Sequence, residues 1–207
     1  MQDDQLRETF LSGEEVYQGK IIHVEKWQVA LPNGKQALRE VVRHKGAAAV
    51  VAVDAEGRVT LVRQYRVAVG RFTWEIPAGK LDTEQEDPFH AAQRELEEET
   101  GLQAENWQFL TCIDTTPGFC TERISIYLAT GLSQHPAHPD ADEFLSLCRL
   151  PLSEAVEKCM RAELRDSKTV VGLLMAQRAL SLGDSAPLSA SSAIQRPSVY
   201  ASSPKAE

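Results

Sequence analysis

Apolar positions along this chain change their spacing several times, and each change marks an expected element. Ile21-Ile22-His23-Val24-Glu25-Lys26-Trp27-Gln28-Val29-Ala30-Leu31 is rich in strand formers. Pro32-Asn33-Gly34-Lys35 interrupts it with a hairpin signal, because Asn-Gly tolerates the positive φ angles of tight turns. A return strand follows from about Gln36 to Arg43. Ala47 to Val53 reads as a buried strand, Asp54-Ala55-Glu56-Gly57 as a turn, and Arg58 to Tyr65 as another strand. Trp74-Glu75-Ile76-Pro77-Ala78-Gly79 leads into a loop opened by Gly79. Residues 1–17 are weakly patterned and are expected to be partly mobile.

The spacing then becomes helical. Asp87 stands at an N-cap position, Pro88 at the first helical position, and Gly101 supplies the left-handed stop. At about 100° per residue, Phe89, Ala92 and Leu96 form a narrow stripe facing a core. Glu95, Glu98 and Glu99 share a neighbouring face, since helix positions three and four apart are surface neighbours. Glu97 points elsewhere.

Beyond this helix, Trp107 to Asp114 and Arg123 to Thr130 read as strands, joined through Thr115-Thr116-Pro117-Gly118-Phe119. An irregular segment over 133–143 ends in Asp140-Ala141-Asp142-Glu143, and a strand follows from Phe144 to Arg149. Helices are expected over Ser153 to Ala162 and over Ser167 to Leu182, the second capped by Asp166 and stopped by Gly183. Strands on both sides of the acidic helix predict an α/β fold, a sandwich with a mixed sheet rather than a doubly wound fold. The expected domains are an N-terminal β region over 1–45, a main domain over 46–183, and a disordered Ser/Ala/Pro-rich tail over 184–207. The N-terminal hairpin has two readings, as part of the main core or as an arm on a partner.

Composition narrows the chemistry. A chain of 207 residues is long enough for a substantial core, and 43% hydrophobic with 25% charged residues is ordinary for a globular protein. A net charge of −8 argues against a nucleic-acid surface held by phosphate contacts. Cys112, Cys120, Cys148 and Cys159 have no paired CxxC spacing, so buried free thiols are expected rather than zinc. The acidic, polar start is unlike a secretory signal, and no apolar run reaches membrane-spanning length. The expectation is a cytoplasmic protein.

Three carboxylates beside an apolar stripe repel one another and lose solvation. They form either a solvated acidic face with Arg94 as partner, or a seat for a divalent cation. Hard carboxylate oxygens suit Mg²⁺ or Mn²⁺, and such ions commonly bridge protein and phosphate oxygens.

The run Arg94-Glu95-Leu96-Glu97-Glu98-Glu99-Thr100-Gly101-Leu102, with Glu86 and Gly79 upstream, resembles the Nudix box. That box marks hydrolases of a nucleoside diphosphate linked to another group. Glu86 to Arg94 has the family's spacing, and the loop between Gly79 and Glu86 is one residue longer than usual. Leu31-Pro32-Asn33-Gly34-Lys35, Arg39-Glu40-Val41-Val42, Gln64-Tyr65-Arg66, Trp74 to Gly79, Pro117-Gly118-Phe119 and Lys168-Thr169-Val170-Val171-Gly172-Leu173 resemble the ADP-ribose pyrophosphatase subgroup. The likeness spans about residues 14 to 180.

The resemblance implies a Nudix-type α/β/α sandwich preceded by an N-terminal antiparallel sheet. It implies Mg²⁺, with Mn²⁺ as the alternative, held by Glu95, Glu98, Glu99 and the backbone carbonyl of Ala78. Arg66 would hold the diphosphate or, alternatively, form a surface salt bridge. Arg39 and Glu40 would meet the adenosine end, Glu122 is a further substrate-contact candidate, and Trp27 would either stack on adenine or pack in a core. The general base is open among Glu143, Asp142 and Glu98. The implied reaction is hydrolysis of ADP-ribose to AMP and ribose 5-phosphate by a homodimer. The rivals are another nucleoside diphosphate sugar or dinucleotide as substrate, and a non-catalytic domain that senses ADP-ribose or binds a partner.

Overall fold

The computed structural model describes residues 5–137 and 144–182. Contacts divide these into one unit of residues 5–44 with 116–122, and a second of residues 45–115, 123–137 and 144–182. Asp142, Glu143, Gly183 and the expected tail lie outside the described residues.

The first unit is an antiparallel sheet of β1 (Thr9–Gln18), β2 (His23–Ala30) and β3 (Gln36–Arg43), in that order. The expected hairpin joins β2 to β3, with Leu31 N donating to Lys35 O at 2.7 Å and Asn33 Oδ1 accepting from Lys35 N. Strand β1 corrects the expectation of weak order over residues 1–17. Its pairing with β2 shifts register between Phe10 and Ser12 and again between Glu15 and Tyr17. Each shift puts an extra residue into the strand and breaks the period-two alternation by which a strand is recognised. All ten residues of β1 are exposed, so backbone pairing rather than burial holds the strand. Residues 116–122 run beside β3, where Val42 N donates to Phe119 O and Thr121 N to Val42 O.

The second unit contains β4 (Ala47–Ala52), β5 (Arg58–Arg66), β6 (Arg71–Glu75), β7 (Ala78–Lys80), α1 (Pro88–Thr100), β8 (Leu102–Asp114), β9 (Arg123–Gln134), β10 (Ser146–Pro151), α2 (Leu152–Met160) and α3 (Ser167–Ser181). A mixed sheet runs β7-β4-β9-β8 with β4 and β9 parallel, and an antiparallel sheet runs β10-β5-β6. The all-apolar β4 shows why both of its faces must be covered. Ala48, Val50 and Ala52 pack with Ala91, Ala92 and Leu96 of α1, while Ala49 and Val51 pack with Leu61, Ile126 and Leu173 on the other side. Helices therefore lie on both faces of the mixed sheet, as an α/β/α sandwich requires.

Local extents differ from expectation in three places. Ala78 and Gly79 belong to a strand paired with β4 rather than to a loop. Strands β8 and β9 are longer than their apolar runs, because their ladder continues through polar pairs such as Gln103↔Ser133. Strand β10 begins at Ser146, and Phe144 precedes it, highly exposed. The four cysteines are free and half-buried rather than buried. Among the described residues no helix is long and apolar enough to cross a membrane.

Candidate active site

Helix α1 begins as expected. Asp87 Oδ1 accepts from Phe89 N at 2.9 Å, and Gly101 ends the helix at φ 67° with its N–H donating to Glu97 O. Ala92 and Leu96 are fully buried, and Phe89 packs edge-on to Trp107 with ring centres 5.4 Å apart. This packing sets the rotation of the helix and turns Glu95 and Glu99 inward, 8% and 5% exposed, with Glu98 half-exposed beside them.

The inward carboxylates meet the backbone of β7. Glu99 Oε2 accepts from Ala78 N at 3.1 Å. The Glu95 carboxylate fills the space that a side chain at Gly79 would take, since a Cβ there would fall 1.9 Å from it. Arg94 ties the face together: its Nη1 donates to Glu95 Oε1 at 2.7 Å and to Glu98 Oε2 at 3.2 Å, and its Nη2 reaches Glu86 Oε1 at 3.4 Å. The longer loop after Gly79 therefore still delivers Glu86 to Arg94.

The donor set suits a divalent metal ion. Glu95, Glu98 and Glu99 are hard oxygen donors on one face, and Glu95 and Glu99 are seated against backbone. As the side chains stand, Arg94 bridges Glu95 and Glu98, and among the described residues no three such groups converge on a single point.

Arg66, at the end of β5, binds Glu75 through one edge of its guanidinium, Nε to Oε1 and Nη2 to Oε2, each at 2.8 Å. Glu75 is only 2% exposed and also accepts from Thr73 Oγ1 at 2.6 Å and from Lys168 Nζ. Lys168 in turn donates to both oxygens of Asp166, which caps α3 by accepting from Thr169 N. The salt bridge foreseen for Arg66 is thus present, with a buried partner. Attraction to Glu75 outweighs the cost of burial and raises the pKa of Arg66, and Asp166 and Glu99 reinforce the rise, so its charge is felt at the carboxylate face. Glu99 also lines a cleft of about 480 Å³ with Arg63, Phe72, Phe144 and Leu147.

Burial opposes the charge on Glu75, but Arg66, Lys168 and Thr73 overcome it and bring its pKa down from 4.5 to about 2. The folded value lies below the unfolded one, so this stabilisation is full above about pH 4.5 and is lost as the pH falls toward 2. It amounts to about 3 kcal/mol. Denaturant unfolding between pH 2 and 6 should therefore show a steeper acid-side loss in the wild type than in Glu75→Gln. Equal slopes would contradict the assignment.

The structure thus brings Ala78, Glu95, Glu98, Glu99 and Arg66 into the second unit. Arg39, Glu40 and Glu122 belong to the first. There Arg39 forms an ion pair with Glu8, Glu40 is exposed and opposite Lys26, and Glu122 lies 3.5 Å from His44. Trp27 packs edge-on against Phe10, with ring centres 5.3 Å apart. Glu75, Lys168 and Asp166 were not foreseen as a group. One signal for them exists in the sequence: a lysine in the first turn of a helix opposes the helix dipole and so needs an anionic partner.

Residues 43–170 match the NUDIX domain family. The chain is 40% identical over 196 residues to an ADP-ribose pyrophosphatase of Mycobacterium tuberculosis, covering 92% of this chain and 93% of that one. It is 42% identical over 177 residues to a methanol dehydrogenase activator of Bacillus methanolicus, covering 84% and 95% of the two chains. The crystal structure of an ADP compounds hydrolase aligns with a TM-score of 0.74 at 25% identity, over 85% of this chain and 96% of that one. A match across more than half of the sequence, centred on the helix that gathers the carboxylates, makes this chain a member of the Nudix hydrolases and an enzyme.

Proposed function

We propose that this enzyme hydrolyses the diphosphate of ADP-ribose, giving AMP and ribose 5-phosphate. The observation that carries the reading is the grouping around Glu99, where a strand backbone, two further carboxylates and the charge of Arg66 meet beside an open cleft. Similarity to an ADP-ribose pyrophosphatase over nearly the whole chain supports the substrate.

Glu95, Glu98 and Glu99, with the carbonyl of Ala78, would hold the cation, Mg²⁺ in this reading with Mn²⁺ as the alternative. When bound, such an ion neutralises phosphate charge and acidifies a water. Arg66 turns its open edge to the diphosphate, where a guanidinium fork matches phosphate oxygens. A carboxylate takes the proton of the attacking water, its oxygen bonds to one phosphorus, and the bridging P–O bond breaks. Glu98 is the base candidate among the described residues; Glu143 and Asp142 are the others. Arg39 and Glu40 meet the adenosine end, and Glu122 contacts substrate. The enzyme works as a homodimer, a part of the reading supported by the fully exposed β1 with Leu11, Val16 and Tyr17 uncovered on it.

Product analysis with ADP-ribose, other nucleoside diphosphate sugars and dinucleotides, each with Mg²⁺ and Mn²⁺, tests the assignment. Rapid release of AMP from ADP-ribose is expected. Faster turnover of another diphosphate would overturn the substrate and keep the chemistry. A monomeric mass by light scattering would overturn the dimer.

A further inference from the structure

The chain of charges behind Arg66 has a consequence for the reaction. Arg66 is 46% exposed at its side chain, whereas the Glu75 side chain that grips it is 3% exposed. One edge of the guanidinium is therefore locked against a buried anion while the rest reaches outward. Glu75 cannot swing away, because Lys168 and Thr73 donate to the same two oxygens. Lys168 is fixed in turn by Asp166, whose other partners are Thr169 N and Oγ1 at the start of α3. Thr169 Oγ1 itself accepts from Ile76 N at 2.9 Å, directly after Glu75. The rigidity of the helix start is thereby carried to the plane of one guanidinium.

We infer that Glu75 is a positioning residue for diphosphate binding: held by Lys168 and Thr73, it sets the plane of the Arg66 guanidinium and presents its open edge to the substrate. This rests on the reading that Arg66 holds the diphosphate.

The test is a double-mutant cycle on Glu75→Gln and Arg66→Ala, measured with ADP-ribose or with whichever nucleoside diphosphate sugar turns over fastest. Glu75→Gln should lower kcat/KM roughly 10- to 100-fold, mostly through KM, as loss of a supporting contact behind a binding group does. In the Arg66→Ala background the same change should add almost nothing. A full, additive loss in that background would make Glu75 purely structural and overturn the inference, as would an unchanged KM in Glu75→Gln alone. An unchanged KM in Arg66→Ala would instead remove the reading of Arg66, and the inference with it. If Glu75→Gln does not fold, Thr73→Val removes one donor to the same carboxylate and should raise KM about threefold. An unchanged KM there overturns the inference.

Discussion

Glu98→Gln should lower kcat on the order of 10³-fold while leaving the fold almost untouched. The separation follows from where Glu98 sits. Its side chain is 41% exposed, and its hydrogen-bonded contact is an i,i+4 pair with Arg94 at 3.2 Å. Exposed pairs of this kind contribute about 0.5 kcal/mol or less. Stability therefore barely depends on Glu98, whereas the proposed reaction uses its charge, as ligand or as base. Turnover with saturating Mg²⁺ and a thermal midpoint, measured together, check both halves. Glu97→Gln is the control, because Glu97 bonds Gln103 at the helix end and should keep wild-type kcat. Turnover of Glu98→Gln within about tenfold of wild type would remove Glu98 from the machinery.

Gly79→Ala should lower kcat/KM by about 100-fold, the scale expected when a reacting group is displaced by about 1 Å. The methyl group would land 1.9 Å from the Glu95 carboxylate. What it meets is the end of a flexible side chain, so Glu95 yields and the backbone stays. Gly79 is a paired strand residue opposite Ala48 and needs no left-handed conformation, so alanine adds no backbone strain there. The stability change should stay under about 1 kcal/mol. The Mg²⁺ concentration for half-maximal activity should rise, because the displaced carboxylate is one of the proposed ligands. A metal titration of the variant reads this directly, and an unaltered titration with unaltered kcat/KM would show that the seat of Glu95 on Gly79 is dispensable.

Much of α1 is legible residue by residue. Asp87, Pro88 and Gly101 mark its ends, and the capping contacts occur as the residue types require. The stripe of Phe89, Ala92 and Leu96 faces the core, and the acidic positions beside it turn toward β7. Strand β4 is equally legible, since an unbroken apolar run has to be covered on both sides. Strand β1 is not, because its two register shifts scramble the alternation that would announce it. Gly79 reads in the sequence as the opening of a loop, whereas in the fold it is a strand residue whose missing side chain makes room for Glu95.

The sequence by itself determined the acidic helix, its ends and the shared face of Glu95, Glu98 and Glu99. Helical neighbours lie three and four residues apart, so local spacing is enough to specify them. Only the tertiary structure decided that this face meets the backbone of Ala78 and Gly79, and that Arg66 is gripped by Glu75. Glu75 is held by Lys168 across 93 positions of chain. No local periodicity encodes such a pair. Packing of α3 against Ile76, the residue after Glu75, brings the two charges together, and once buried neither can be left without the other.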